Sequence, residues 1–176
     1  KESCYLVKVS GLTPGSQNPV GIDEMGKSPI VQYSDAIPIN LPDNCDNRID
    51  GSLYKENGKY YLSIKREGTI CEIWSIDDLN DVSDPNAWTC INSGVVKDFE
   101  GPCMTKYAGN YYYYTDKLGI LDGVTGIHVA ISEGLDKPWT ENQPIVTIDI
   151  DGMDAGLAMA TGTPAPGGLL YDTIND

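Results

Sequence analysis

Two acidic residues, Asp50 and Glu100, are the best candidates for chemistry in this sequence of 176 residues. Each follows a large apolar residue, precedes a glycine and opens a stretch rich in tyrosine. Two carboxyl groups held close together can perform acid–base chemistry, because repulsion between like charges raises the pKa of one of them. Such a pair needs a fold that brings residues 50 positions apart into one site.

An internal repeat in the sequence could bring Asp50 and Glu100 together. Four pairs of residues recur at a common spacing of 51 positions, namely Gly58 and Gly109, Tyr60 and Tyr111, Tyr61 and Tyr112, and Trp88 and Trp139. A period of 40 to 50 residues made of short strands is typical of β-propeller blades. The first strand of each blade lines the central channel, so Asp50 and Glu100 are expected to open neighbouring inner strands and to point into one cleft.

Alternating apolar residues and turn signals predict four strands in each repeat. Asn57-Gly58 is a strong hairpin signal, because a type I′ turn needs a positive φ at both positions, and Ala108-Gly109 is its counterpart. The predicted strands are 50–56, 59–65, 70–76 and 88–93 in the first repeat, and 101–107, 110–116, 125–132 and 144–149 in the second.

The sequence therefore predicts an all-β chain, a single partial propeller domain of about three and a half blades. Residues 1–48 would end one blade, 49–98 and 99–148 would each form a blade, and 149–176 would begin the next. Within the first part, residues 4–10 are expected to form a second strand and 19–35 a third and fourth. Because a propeller closes only with four to eight blades, another chain segment or protomer would complete the ring.

The amino-acid composition argues against some classes of partner and favours others. Twelve basic residues against 26 acidic ones give a net charge of −14, which argues against nucleic acid or an anionic membrane surface as a partner. No apolar run is long enough to span a bilayer. Eleven tyrosines and three tryptophans suit half-buried strands and surfaces that face a carbohydrate ligand.

The five cysteines include no C-x-x-C pair, and the sequence has one histidine, so a zinc site is poorly supported. Cysteine at this density favours a secreted or extracytoplasmic location. Cys71 and Cys90 fall on the predicted third and fourth strands of one blade, which makes a disulfide between them a testable expectation. That bond requires Cα atoms within about 7 Å of each other.

Several motifs resemble those of family 43 glycoside hydrolases. The segment from Ile49 to Leu62, with its Ile-Asp-Gly-Ser start, resembles one motif of that family, and Glu100-Gly101-Pro102 followed by a tyrosine-rich strand resembles another. The strand 126–132 is similar to the one that follows in the family, and Val20-Gly21-Ile22 with Ser28-Pro29 faintly matches the preceding blade.

The resemblance implies a five-bladed propeller that degrades arabinose- or xylose-containing glycans with inversion. It implies that Glu100 is the general acid and that Asp50 orients Glu100 and modulates its pKa. The general base of the family lies about a hundred residues upstream of the position of Asp50, and no residue of this chain corresponds to it. The segment 160–164, the candidate for a fifth-blade stretch, lacks the histidine of the family.

Other residues have competing interpretations. Trp74 has no counterpart in the second repeat and is the candidate substrate-binding tryptophan, whereas Trp88 and Trp139 are expected to pack between blades. His128 is expected to be a packed residue on a sheet face. The acidic runs favour solvated loops over an ion site; no cofactor is required, and a structural calcium remains open. These runs are Asp77, Asp78, Asp81 and Asp84, and Asp149, Asp151 and Asp154.

Three functions are consistent with these observations. The chain could be a stretch of a glycoside hydrolase, a carbohydrate-binding propeller that does not catalyse, or a structural extracellular protein that assembles into filaments through open blade edges. The resemblance favours the first.

Overall fold

The computed structural model describes residues 4–10, 32–42, 48–66, 70–117 and 124–149. The expectation of an all-β chain is confirmed, because the regular structure of these ranges is strands and two short 3-10 turns, Leu79–Asp81 and Pro85–Ala87. The strands are β1 Tyr5–Leu6, β2 Val9–Ser10, β3 Gln32–Tyr33, β4 Ile37–Pro38, β5 Ile49–Glu56, β6 Lys59–Arg66, β7 Ile70–Ile76, β8 Thr89–Lys97, β9 Glu100–Tyr107, β10 Asn110–Lys117, β11 Val124–Ser132 and β12 Gln143–Asp149.

Eight of these strands form two antiparallel sheets of the kind that builds propeller blades. Strands β5 to β8 make one four-stranded sheet in chain order, and β9 to β12 make the other. The predicted strands agree with the observed ones to within a residue or two, except that β8 continues to Lys97. The predicted hairpin turns are also confirmed, because φ is 50° at Asn57, 81° at Gly58, 48° at Ala108 and 87° at Gly109.

The first strand of each sheet carries a β-bulge near its start. Ile49 pairs with Lys65 but Ser52 pairs with Ser63, so Asp50 and Gly51 together oppose a single residue. In the second sheet Glu100 pairs with Asp116 and Cys103 with Tyr114, so Gly101 and Pro102 occupy the equivalent positions. Asp50 (φ 59°) therefore corresponds to Gly101 (φ 54°). The 50-residue spacing of Asp50 and Glu100, one less than the repeat, agrees with this offset.

The two sheets pack face to face through an apolar layer. It is built from side chains of β7, β8, β9, β10 and β11, including Cys71, Ile73, Met104 and Tyr113. The hydroxyl of the fully buried Tyr113 crosses this layer and donates a hydrogen bond to the carbonyl oxygen of Glu72 at 3.1 Å. The opposite face of the first sheet packs against the N-terminal strands through Leu62, Ile64, Trp74, Ile76, Val82 and Trp88.

The N-terminal part forms two short pairings, β1 with β4 and β2 with β3. The single strand expected over residues 4–10 is instead two short strands, β1 and β2, and β3 lies within the predicted 19–35 segment. Residues 19–31 of that segment lie outside the described residues. The predicted start of a further blade after residue 149 also lies outside them, as do Asp151, Asp154 and the segment 160–164. Among the described residues, no helix is long and apolar enough to cross a membrane.

A polar contact joins the sheets at their hairpin ends. Glu56 accepts hydrogen bonds of 2.6 Å from both the ammonium of Lys106 and the hydroxyl of Tyr111. Burial alone would raise the pKa of Glu56, but these two hydrogen bonds outweigh that effect and lower it. The charge on Glu56 therefore links β5 to the second sheet.

The predicted disulfide between Cys71 and Cys90 is not formed. The two strands are adjacent and antiparallel, as expected, but their register pairs Cys71 with Val96 and Cys90 with Trp74. Cys71 is a free, buried thiol. Adjacent strands are therefore not sufficient for a bridge, which also needs the two cysteines to face each other.

Cys71 and Cys103 should resist alkylation in the folded protein. Their exposed fractions are 0% and 1%, and burial raises the pKa of each thiol to about 12. Because the thiolate is the nucleophile, iodoacetamide at neutral pH should leave both unmodified, as peptide mass spectrometry would record. Unfolding in guanidinium should make both react, and labelling at equal rates before and after unfolding would contradict the buried placement.

Candidate functional site

Asp50 and Glu100 lie close together, as the repeat predicts. Both are bound to the ammonium group of Lys65, whose Nζ lies 3.0 Å from Glu100 Oε1 and 3.7 Å from Asp50 Oδ2. The two carboxylate oxygens are therefore within about 7 Å of each other, where charges in a protein interact strongly. The expectation that these residues begin neighbouring strands and lie close together is confirmed, since β5 and β9 are in contact and both acids contact Lys65. That they point into one cleft stays a prediction.

The bulges position these side chains. A bulge turns the strand locally and redirects its side chains, and bulges are over-represented beside active sites. The left-handed backbone of Asp50 is one that aspartate tolerates better than most residues. The next residue in the bulge is Gly51, and a larger residue would be crowded there. A Cβ at this position would lie 3.3 Å from Cys4 Sγ and from Leu62 Cδ1.

Lys65 is a partner that the sequence interpretation missed. Its side chain is 10% exposed, whereas those of Asp50 and Glu100 are 38% and 33% exposed, so Lys65 forms the floor of the site. Burial alone would lower the pKa of Lys65, but its hydrogen bond to Glu100 and the charges of Glu100 and Asp50 raise it overall. Lys65 is therefore a fixed positive charge between two carboxylates.

A third carboxyl group, Asp116, belongs to the same cluster and was also missed. Asp116 is the direct partner of Glu100 in the pairing of β9 with β10. Its Oδ1 is buried and has no hydrogen-bond partner among the described residues. Burial, followed by the negative charges of Glu100 and Asp50, raises the pKa of Asp116. A hydrogen bond from its own backbone N–H and the positive charge of Lys65 offset only part of that increase.

The positions of the two hairpin turns could have identified both Lys65 and Asp116 from the sequence. Counting outward from Asn57-Gly58 places Lys65 opposite Asp50, and counting from Ala108-Gly109 places Asp116 opposite Gly101. The bulges then shift each partner by one residue, to Ile49 and to Glu100.

Trp74 is not placed to bind a sugar, which corrects the tentative assignment. Its side chain is 6% exposed and packs among the apolar residues that face the N-terminal strands. Its Nε1 donates a 3.0 Å hydrogen bond to Glu72 Oε2, and the guanidinium of Arg48 stacks 5.3 Å from its ring centroid. Trp74 therefore supports the buried contact between Glu72 and Arg48.

The remaining aromatic candidates are packed, as expected. Trp88 is 5% exposed and donates a hydrogen bond to the carbonyl oxygen of Val82 at 3.1 Å. Trp139 meets the ring of Tyr113 edge to face, with centroids 5.5 Å apart. His128 is 9% exposed and its ring lies 4.9 Å from that of Phe99.

The first acidic run has structural roles. Asp78 and Asp84 each cap a 3-10 turn by accepting a backbone hydrogen bond, and Asp77 forms an exposed ion pair with Lys59 at 3.0 Å. Within the described ranges, no group of three or more histidine, cysteine or acidic residues is arranged to hold a metal ion.

Two kinds of known protein are similar to parts of the chain. The Arginase family matches residues 121–176, which is less than half of the chain and falls mostly outside the described residues. Val124–Asp149 within that range forms β11 and β12 of the second sheet. A search of curated proteins finds no significant match.

Solved structures similar to the chain include glycoside hydrolases. A GH43 β-xylosidase/α-arabinofuranosidase from a compost microbial metagenome, in complex with xylotriose, is 18% identical over 61% of this chain and 38% of its own, with a TM-score of 0.46. An endo-1,4-β-xylanase from Bacteroides thetaiotaomicron is 21% identical over 68% of this chain and 44% of its own, with a TM-score of 0.46. An α-L-arabinanase from Cellvibrio cellulosa is 15% identical over 58% of this chain and 36% of its own, with a TM-score of 0.39. The chain thus spans less than half the length of each structure.

Proposed function

We propose that the chain contributes to a glycoside hydrolase of propeller type that acts outside the cytoplasm on glycans containing arabinose or xylose. The observation that carries this proposal is the placement of Asp50 and Glu100, which reach one site from the first strands of adjacent blades. The resemblance of the Ile49–Leu62 and Glu100–Pro102 segments to family 43 glycoside hydrolases supports the choice of sugar.

Glu100 then acts as the general acid that protonates the departing glycosidic oxygen, and Asp50 orients it. An inverting reaction also needs a carboxylate that activates water on the opposite face of the sugar. That base comes from a segment other than the one containing Asp50 and Glu100, on another blade of the completed ring. The contribution of this chain is therefore the acid half of the site.

A second candidate function is carbohydrate binding without catalysis, and one contact favours it. Lys65 forms an ion pair with Glu100 at 3.0 Å, and a side chain held in this way can bind a sugar without protonating the glycosidic oxygen. In this alternative Asp50, Lys65 and Glu100 hydrogen-bond sugar hydroxyl groups and leave the glycosidic bond intact.

An assay of the natural polypeptide that carries this chain separates the two functions. Incubation with arabinan, xylan and their oligosaccharides should release reducing sugar with inverted anomeric configuration, detected by proton NMR. Oligosaccharide binding in calorimetry without any hydrolysis would favour the second function. Neither binding nor hydrolysis of either glycan would contradict both.

A further inference from the structure

The Asp50–Lys65–Glu100–Asp116 cluster contains three carboxyl groups and one ammonium group. Lys65 is in contact with two of the carboxyl groups, Asp50 and Glu100. Asp116 faces the same cluster from β10, yet one of its oxygens is buried without a hydrogen-bond donor among the described residues. Removing an oxygen of an ionised carboxylate from water without a hydrogen-bond donor is costly, so this environment favours the protonated form of Asp116.

We propose that Asp116 holds the proton of this site in the resting protein and passes it to Glu100. Asp116 then acts through Glu100, so it is a positioning residue for this general acid. This inference rests on the proposed function for the role of Glu100, but the location of the proton does not depend on it. The proton then resides on Asp116, while Lys65 contacts Asp50 and Glu100.

The strand pairing provides a short path for the transfer. Asp116 and Glu100 are direct partners across β9 and β10, and partner residues have Cβ atoms about 4.5–5.5 Å apart on one face of the sheet. Two carboxyl groups at this spacing can exchange a proton directly or through one water molecule.

The transfer is balanced in protons and charge. A bound sugar displaces water from Glu100, and loss of hydration favours the neutral form of this carboxyl group. The O–H bond of Asp116 breaks, an O–H bond forms on Glu100, and Asp116 becomes a carboxylate. Glu100 then gives the proton to the departing glycosidic oxygen and returns to its ion pair with Lys65, while Asp116 recovers a proton from solvent.

The other groups facing Asp116 are consistent with this assignment. Its charged neighbours are Glu100 on β9, Asp50 on β5 and Lys65 on β6. The thiols of Cys71 on β7 and Cys103 on β9 also interact with it, but burial raises their pKa to about 12, so both are neutral near pH 7. The two negative neighbours outweigh the single positive one.

Carbon-13 NMR of the side-chain carboxyl groups tests the resting state directly in the unmodified protein. The Asp116 carboxyl should titrate at a higher pH than that of Asp77, whose side chain is 84% exposed. Glu100→Gln should shift the Asp116 midpoint to lower pH, because it removes a negative neighbour. Glu56→Gln is the matched control, since Glu56 lies at the far end of β5, and it should leave that midpoint unchanged.

The pH profile of kcat/KM tests the role of Asp116 in turnover. As the pH is raised, Asp116→Asn should lose activity at a lower pH than the unmodified enzyme does, with KM little changed. Asp116→Glu should restore the profile. A purely structural role would reduce the amount of folded enzyme without moving the profile.

The outcomes separate the location of the proton on Asp116 from its transfer to Glu100 and from the proposed function. An Asp116 midpoint at or below that of Asp77, or one that Glu100→Gln does not move, would overturn the inference even in an active hydrolase. A raised midpoint in a protein without hydrolase activity would support Asp116 as the proton holder and overturn the proposed function. An unshifted pH profile in Asp116→Asn would overturn the transfer to Glu100.

Discussion

Glu100→Gln should reduce turnover of arabinose- or xylose-containing glycans by about a hundredfold or more, because a positioned general acid contributes on the order of 10²–10⁴ in rate. Glutamine keeps the size of the side chain and can still accept a hydrogen bond from Lys65, but it cannot deliver a proton. The measurement is kcat on a natural oligosaccharide, made with the whole polypeptide that carries this chain.

The leaving group separates loss of an acid from general damage to the site. Aryl glycosides with good leaving groups need little protonation, so Glu100→Gln should slow their hydrolysis far less than that of an oligosaccharide. Glu56→Gln removes a carboxylate near the hairpin end of β5 and should leave both substrates nearly unaffected. An equal loss on both substrates in Glu100→Gln would show that Glu100 does not act as the acid.

Most of the fold of the two sheets could be predicted because its signals are local. The Asn57-Gly58 and Ala108-Gly109 turns fix where two hairpins reverse, and the repeat transfers that pattern from one sheet to the next. The same signals place Asp50 and Glu100 on neighbouring first strands. Proximity of the two acids thus follows from topology, without knowledge of any side-chain contact.

The composition of the site could not be predicted as fully, because it depends on bulges and on packing between distant segments. A bulge shifts the register by one residue without a clear sequence signal, and here it determines that Asp116 faces Glu100 instead of Gly101. The burial of Trp74 depends on the N-terminal strands, more than thirty residues away in sequence. The register of β7 with β8, which separates Cys71 from Cys90, follows a loop whose length fixes no pairing.

Glu72→Gln should destabilise the fold by about 3 kcal/mol, since removing one partner of a buried ion pair typically costs 3–5 kcal/mol. Glu72 is 2% exposed, and its carboxylate lies 3.1 Å from Arg48 Nε, 3.0 Å from Arg66 Nε and 3.0 Å from Trp74 Nε1. Glutamine fits the same space but removes the carboxylate charge that Arg48 and Arg66 contact. Urea unfolding followed by tryptophan fluorescence measures the change.

Two comparisons test whether loss of the buried carboxylate charge causes this destabilisation. Asp77→Asn removes a carboxylate from the exposed pair with Lys59 and should cost less than about 1 kcal/mol. Replacing these three residues by apolar ones, with Arg48→Met, Glu72→Leu and Arg66→Met together, should recover much of the stability that Glu72→Leu alone loses, because the two positive charges that contact Glu72 are then removed with it. If the triple variant is less stable than Glu72→Leu, the ions stabilise the packing of the first sheet against the N-terminal strands through their geometry, and the charge-based explanation is wrong.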